Sequence, residues 1–526
     1  MLALNVPLID AGLQRATKTR PKAVAVWLER LPFASPVEAA QQLITGLYAL
    51  NRSPLDADGR HALLALYRPV VARVGASLET LLAESGVPPH ARLRQTGVLL
   101  RELMIEFSIG YKHVLLVLSG DLSGRVSPKR IAEVTARLLA ALRDVQAVCC
   151  LTYSPLPVGL WEEIHTIFQF AQATHQPDQA AGDAPAASLA YRQALLLALA
   201  DPPHLGFAEL VHTRLYLDQF AALAELSPEP VSMHRGFPIS TQSDTPPSHL
   251  PPPQGNGDLW LDTNALCRHL HTSAGRLRAG DSPRHAGLPT QMDAKLCLTL
   301  CTHLLQLWEG GVHRVFKRYH ASSNSVQMVA GVSAIHRLLE ETSPVAELEP
   351  DEAHLLPFLD ATALTAAPVA VHATRWTVSN DSASGLALIG TPDAPLNLKV
   401  GDPLAVRDND AAGWSLAMIR WIRMRDARQV ELGVERLAPQ IHPVWVRPLR
   451  GHLKTNPEPA LFIQGLPELQ QNDRLLLPHP LYQADMDAEI WHAPNKHTLT
   501  FGRCLMQAPS FDLIDFTIFA SETHHD

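Results

Sequence analysis

The length, composition and charge of the 526-residue chain exclude several classes of protein. Hydrophobic residues make up 46% of the sequence and charged residues 18%, which is typical of a folded globular protein and excludes a wholly disordered one. The net charge of −8 excludes a nucleic-acid-binding surface that extends over the whole chain, so any anion site must be local. At about 150 residues per domain, the length predicts three or four domains.

The N-terminal segment and the cysteines indicate a cytoplasmic protein. The first 20 residues lack the basic start and the cleavage site of a signal peptide, and Asp10 interrupts their apolar pattern. The longest apolar runs, such as 114–118 and 194–200, are far shorter than the roughly 20 residues that span a bilayer. Six cysteines without a dense framework are expected to be thiols in a reducing compartment.

Residues 1–226 are predicted to form an α-helical interaction domain, either an antiparallel bundle or a solenoid. Apolar residues recur at three- and four-residue spacing over 37–50, and the Ser35-Pro36 pair before them is a typical helix start. Helical spacing also covers 93–120 and 207–226. No repeat period is regular enough to identify a repeat family. A helical layer of this length without polar motifs is expected to bind a protein partner.

A proline-rich linker is predicted at 227–258. Eight prolines fall within residues 227–254, and because proline blocks helices, this stretch offers little that a core could bury. Helical spacing resumes after it, so 259–310 is predicted to be a helical connector.

Beyond Gly311 the sequence changes to short apolar segments separated by Gly, Asp, Asn and Pro, which is typical of a small β-barrel or sandwich. Strands are predicted at 325–329, 375–378, 386–389, 404–406, 416–422 and 430–434. A further set of short apolar segments predicts a C-terminal β unit at 441–526. The expected fold class is therefore α+β and multidomain.

The sequence contains no established catalytic or metal-binding motif. HExxH, GxSxG, a GxxxxGK phosphate loop and CxxC are all absent, so no enzyme, catalytic residue, metal ligand or cofactor is predicted. Cys267, His269 and His271 lie close in sequence, but residues i and i+2 of a helix point to different faces. Cys297 and Cys301 share a helical face and are expected to be core residues.

Two motifs carry groups that suit a nucleotide. Arg314 and Arg318 place two guanidinium groups four residues apart, and arginine favours bidentate phosphate contacts and stacking on bases. Asn380, Ser382 and Gly385 form an Asn-x-Ser-x-x-Gly turn, in which short polar side chains can bond a base edge and glycine allows close backbone approach. Each motif alone also occurs as a solvated helix face or an ordinary hairpin.

Together and in this order, the motifs resemble those of the PilZ domain, a bacterial receptor module for cyclic di-GMP with the pattern RxxxR followed by [D/N]xSxxG on a small β-barrel. Three further segments, 400–402, 418–422 and 432–435, also resemble that family. The resemblance implies a PilZ-like barrel at 311–440.

The resemblance also implies the role of each site residue. Arg314 and Arg318 would bind the phosphates and stack on guanine, Asn380 and Ser382 would contact guanine edges, and Gly385 would shape the turn. The ligand would be cyclic di-GMP, and its binding would switch protein contacts without catalysis.

The spacing of the motifs departs from the family, because 61 residues separate Arg318 from Asn380. We expect an insertion at about 337–370, between the first two barrel strands. It carries 1 Lys/Arg and 7 Asp/Glu, whereas 311–336 and 371–436 together carry 11 and 8, so the barrel is locally basic. An acidic insertion of this kind is a possible competitor for the ligand.

The sequence leaves three functions open. The first is a cyclic di-GMP effector that couples the barrel to protein interactions of the helical region, with no nucleic-acid polymer and no membrane insertion. The second is a degenerate PilZ-like scaffold without a nucleotide, which the long gap between the motifs favours. The third, a hydrolase that uses scattered His and Asp residues, lacks a compact group of catalytic residues.

Overall fold

The computed structural model describes residues 2–10, 19–83, 86–87, 91–120, 127–174, 186–229, 236–247, 249, 258–289, 292–310, 319–320, 325–342, 373–382, 384–392, 396–408, 413–426, 428–450, 453–454, 456–465, 472–492 and 495–518. The chain divides into two units. The first unit consists of Met1–Arg314 with Arg423–Ala427, and the second of Val315–Ile422 with Arg428–Asp526.

The described part of the first unit is mainly helical. Its α-helices are α1 (Pro21–Glu29), α2 (Pro36–Arg52), α3 (Ala57–Leu82), α4 (Ala91–Gly120), α5 (Pro128–Leu151), α6 (Leu160–Thr174), α7 (Ala187–Leu199), α8 (Phe207–Phe220), α9 (Asn264–Arg278) and α10 (Ala294–Trp308). Pro36 and Pro128 occupy the first turn of α2 and α5, where a missing N–H costs no hydrogen bond. The carboxylate of Asp56 caps α3 by accepting a 2.6 Å hydrogen bond from the backbone N–H of Gly59.

Helix α4 lies at the centre of the first unit and packs against α2, α3 and α5. Among the described residues, Arg92–Gly120 is the single helix that is long and apolar enough to cross a membrane by length and composition. More than half of its most apolar window, 56%, is buried inside the unit, and a core helix of a bundle meets the same criterion.

The described part of the proline-rich stretch packs against the helical core, where the sequence predicted a linker. Strands β1 (Glu225–Ser227), β2 (Gly236–Ile239) and β3 (Leu259–Asp262) form an antiparallel sheet in the order β1-β3-β2. Phe237 and Ile239 alternate into the core, which explains how a proline-rich segment contributes buried surface. The Asp244 carboxylate accepts hydrogen bonds from backbone N–H groups at the start of α6, which anchors the stretch.

The second unit contains a closed β-barrel of six strands. They are β5 (Ser325–Ala330), β6 (Thr374–Ser382), β7 (Gly385–Gly390), β8 (Pro403–Asp408), β9 (Ser415–Met424) and β10 (Val430–Ala438). The strand order is β6-β5-β8-β9-β10-β7, and pairing of β6 with β7 closes the ring. A two-residue strand, β4 (Tyr319–His320), pairs with β6 in addition.

The predicted C-terminal β unit is a second closed six-stranded barrel. Its strands are β11 (His442–Arg450), β13 (Glu458–Ile463), β14 (Arg474–Pro478), β15 (Asp487–His492), β16 (Asn495–Gln507) and β17 (Phe511–Ile518), with a short β12 (Leu453–Lys454) beside β11. The order β11-β13-β14-β17-β16-β15 closes by pairing of β11 with β15. Numbered from their first strands, both barrels have the cyclic order 1-2-3-6-5-4. The predicted fold class is confirmed.

Helix α11 (Val332–Thr342) follows β5 directly and packs against strands of both barrels. Its buried Ile335 and Leu339 belong to a core cluster that also contains Leu416 of the first barrel and Phe511 of the second. The helix begins at Val332, five residues before the expected start of the insertion at about 337. The rest of the predicted insertion, 343–370, lies outside the described residues.

Candidate functional site

The Asn-x-Ser-x-x-Gly turn lies where β6 passes into β7. Asn380 is opposite Ala387 and Ser382 is opposite Gly385, and an irregularity in the pairing falls between Val378 and Asn380. The Ser382 hydroxyl donates a 3.0 Å hydrogen bond to the carbonyl oxygen of Gly385. The turn is therefore a tight hairpin end that places Asn380 and Ser382 three residues or fewer from its tip.

Gly385 is required by a close backbone approach. It pairs with Glu435 on β10, and a Cβ atom at this position would lie 2.2 Å from the carbonyl oxygen of Val434. No side chain fits between two backbones at that distance. The motif glycine thus holds the hairpin tip against β10.

Arg436, the residue after that pair on β10, contacts the turn through three hydrogen bonds. Its Nη1 donates to the Asp381 carboxylate at 3.0 Å and to the Ser382 carbonyl oxygen at 2.6 Å. Its backbone N–H donates to the carbonyl oxygen of Ser384 at 2.9 Å. Sequence reasoning missed Arg436 and Asp381, because only the register of β7 on β10 brings them together.

Strand β4, which precedes the six barrel strands in the sequence, pairs with β6 beside the turn. The backbone of Tyr319 pairs with that of Asp381, and His320 pairs with Asn380. The two ends of the 61-residue gap between the predicted motifs, at Tyr319 and just before Asn380, therefore lie side by side on β4 and β6. Arg314 and Arg318 themselves lie outside the described residues.

The interior beneath the turn is apolar. Trp376 on β6 and Trp421 on β9 are core residues of the barrel and are 1% and 9% exposed. On the neighbouring surface, Arg420 Nε lies 2.5 Å from the Glu435 carboxylate.

The described residues contain no group of three or more His, Cys, Asp or Glu side chains that could hold a metal ion. His269 Nδ1 lies 3.0 Å from the Tyr216 hydroxyl and His271 Nε2 lies 2.7 Å from the Glu309 carboxylate, so these two rings have separate partners. Cys297 and Cys301 are buried, as predicted for core residues. The hydrogen bond with Cys297, together with burial, raises the pKa of the Cys301 thiol.

A family model described as "Cyclic-di-GMP receptor FimW, middle PilZ domain" matches residues 237–356 and 360–443. The middle part of this chain, 237–443, therefore contains a PilZ domain. A second model, "Cyclic-di-GMP receptor FimW, N-terminal domain", matches residues 22–230. The PilZ match runs through most of the predicted insertion, so a long segment between β5 and β6 is shared with the FimW type of PilZ domain.

Among curated proteins, the chain is similar to the cyclic-di-GMP receptor FimW of Pseudomonas aeruginosa. The two are 26% identical over 507 residues, which cover 85% of this chain and 82% of the relative. No solved structure matches. Neither family model extends into the second barrel beyond residue 443.

Proposed function

We propose that this protein is a receptor that binds cyclic di-GMP at its PilZ barrel without turning it over. The pairing of β4 with β6 carries the proposal. Arg318 is joined by a peptide bond to Tyr319, and the Tyr319 backbone pairs with Asp381, so the RxxxR segment leads into the barrel beside the turn. The 61-residue gap, which favoured a scaffold without a ligand, is therefore compatible with a single site.

In this proposal the five motif residues have the roles that the family pattern implies. Arg314 and Arg318 bind the phosphates and stack on guanine, because guanidinium groups match phosphate oxygens and flat bases. Asn380 and Ser382 contact guanine edges at the hairpin tip, and Gly385 keeps that tip against β10. The similarity to the relative named as a cyclic-di-GMP receptor supports this assignment.

The helical region is proposed to pass the signal to a protein partner. The segment that holds Arg314 and Arg318 joins α10 to β4, so it connects the helical unit with the ligand site along the chain. A ligand that favours one conformation of this segment shifts the population of helical-region states that a partner can bind. The cytoplasm is the proposed compartment, since none of the six cysteines, all of which lie in the described part of the chain, forms a disulfide.

Calorimetric titration of cyclic di-GMP into the full chain tests the proposal, with cyclic di-AMP and GTP as control ligands. We expect saturable binding of cyclic di-GMP alone. The Arg314→Ala/Arg318→Ala variant loses two charge-assisted contacts of about 1.5–3 kcal/mol each, so its affinity should fall at least a hundredfold. Arg375→Ala is the matched control, because it removes an exposed arginine of the same barrel that lies opposite Gln327 on β5, six positions before Asp381.

Wild-type chain that shows no binding up to about 100 μM ligand would leave a scaffold without a nucleotide as the function. Chromatography of the ligand after incubation checks for turnover. Release of a linear dinucleotide would show that the protein is an enzyme.

A further inference from the structure

Asp381 occupies the variable position of the turn motif, between Asn380 and Ser382, and its side chain is 46% exposed. A cyclic dinucleotide brings two negative phosphates to this turn under the proposed function. An unpaired carboxylate at the same hairpin tip would repel such a ligand, since like charges disfavour each other at short range. The turn of this chain therefore needs a counter-charge of its own, since Arg314 and Arg318 are assigned to the phosphates of the ligand.

Arg436 is placed to supply that charge. Its guanidinium lies 3.0 Å from the Asp381 carboxylate and also donates to the carbonyl oxygen of Ser382. The pairing of Gly385 with Glu435 fixes the backbone of Arg436 beside the turn. The nearest acidic neighbour on its own strand, Glu435, is paired with Arg420, so each carboxylate here has its own arginine.

We infer that Arg436 is a positioning residue for anion binding: it neutralises Asp381 and holds the turn so that Asn380 and Ser382 face a dianion without a free negative charge beside them. The inference rests on the proposed function, since the anion is the proposed ligand. It adds a residue that lies more than fifty positions from the turn in sequence and belongs to neither motif.

Two variants test whether Arg436 neutralises the charge of Asp381 or only holds the turn in place. Arg436→Ala leaves the Asp381 carboxylate unpaired, and we expect cyclic di-GMP to bind about tenfold more weakly. In the Asp381→Asn/Arg436→Ala variant the unpaired charge is gone. The increase in log Kd that Arg436→Ala causes should therefore be at least a third smaller in this double variant. Titrations at about 50 mM and 300 mM salt should show a smaller loss for Arg436→Ala at the higher salt, because screening weakens the repulsion.

Asp381→Asn alone keeps Arg436 and provides a test that does not depend on the stability of the Arg436 variant. It removes one negative charge from the turn, so we expect binding a few-fold tighter than wild type. Arg375→Ala is again the matched control and should bind within twofold of wild type, because Arg375 lies on β6 six positions before Asp381. Thermal unfolding of each variant checks that the barrel is folded.

The results of these titrations distinguish a failure of the proposed function from a failure of the role inferred for Arg436. Wild-type chain that does not bind cyclic di-GMP overturns the proposed function and this inference together. Wild-type chain that binds, with Arg436→Ala unchanged, overturns the inference alone. If Arg436→Ala binds cyclic di-GMP more weakly and Asp381→Asn/Arg436→Ala regains no affinity, Arg436 only holds the turn in place, and the inference is overturned. Weaker binding by Asp381→Asn than by wild type overturns the inference as well.

Discussion

The two barrels of the second unit have the same cyclic strand order but different surfaces at the equivalent hairpin. In the first barrel, β6 and β7 meet in the turn that Gly385 holds against β10. In the second, the equivalent strands β13 and β14 are joined by residues 464–473, and β14 pairs with β17. The Asn-x-Ser-x-x-Gly turn belongs to the first barrel, and the sequence 441–526 contains no such pattern.

Charge also differs between these two places. A cleft of about 560 Å³ lies beside the start of β14 in the second barrel, and Asp473, Asp485 and Asp515 line it. Arg503, at its edge, is 90% exposed and lies near Asp515. Three carboxylates and one cation disfavour a dianion there. A shared barrel thus does not imply a shared ligand, because the side chains of one hairpin decide what binds.

The largest expected effect comes from the glycine that holds the hairpin. Gly385→Ala places a Cβ atom on the carbonyl oxygen of Val434, and neither backbone can move without breaking the β7–β10 pairing. We expect a loss of about 1–3 kcal/mol in the free energy of unfolding and at least tenfold weaker binding of cyclic di-GMP. Chemical denaturation and calorimetry measure the two effects.

Gly502→Ala in the second barrel is the matched control. Its Cβ atom would approach a side-chain oxygen of Asp515 and lie 3.1 Å from the Asp515 carbonyl oxygen, so the substitution strains the second barrel and leaves the hairpin of the first unchanged. Cyclic di-GMP binding should stay within twofold of wild type. Equal loss of binding in both variants would mean that the hairpin of the first barrel has no special role.

Ser382→Ala should have a smaller effect. The variant loses a hydroxyl that bonds the Gly385 carbonyl and is proposed to contact guanine, so binding should weaken by roughly 1 kcal/mol, or about fivefold. Ser415→Ala is the control, since its hydroxyl donates a similar 2.9 Å bond to the Val406 carbonyl within the same barrel. If both variants weaken binding equally, barrel stability rather than ligand contact explains the loss.

The smallest effect concerns the stability of the second barrel. Although burial alone would raise the pKa of Glu489, its bonds from Lys496 and Arg447 lower the pKa below the usual value. A carboxylate with a lowered folded-state pKa stabilises the fold above its unfolded pKa of about 4.3, and this contribution is lost as the pH falls through the folded pKa.

Glu489→Gln should therefore unfold more easily than wild type at pH 7, and the difference should shrink as the pH falls below about 4. Thermal unfolding across this range measures it. Cyclic di-GMP binding at pH 7 should not change, because Glu489 lies in the second barrel. A difference that persists at low pH would show that the ion pairs of Glu489 do not cause it.

Much of the fold was predictable because strands and helices have distinct apolar periods. The six strands of the first barrel and most helices follow from spacing alone. Strand β4 did not, since its two residues are too short to show a period. The second barrel is closed by the pairing of β11 with β15. These strands are far apart in the sequence, so apolar spacing does not predict that they pair.

The candidate site was predictable only where a motif is contiguous. Asn380, Ser382 and Gly385 could be found as a pattern, but the contact of Arg436 with Asp381 depends on strand register. The proline-rich stretch was expected to bury little. Phe237 and Ile239 pack into the core because a short strand places alternate side chains on one face.

Hydrogen–deuterium exchange of the full chain, with and without saturating cyclic di-GMP, tests the central claim most directly, because it compares the two barrels in one experiment. We expect slower exchange in peptides that cover 376–390 and 430–438 of the first barrel, and no change in 472–485 and 500–517 of the second. Slower exchange confined to the second barrel, or no change in the first, would contradict it.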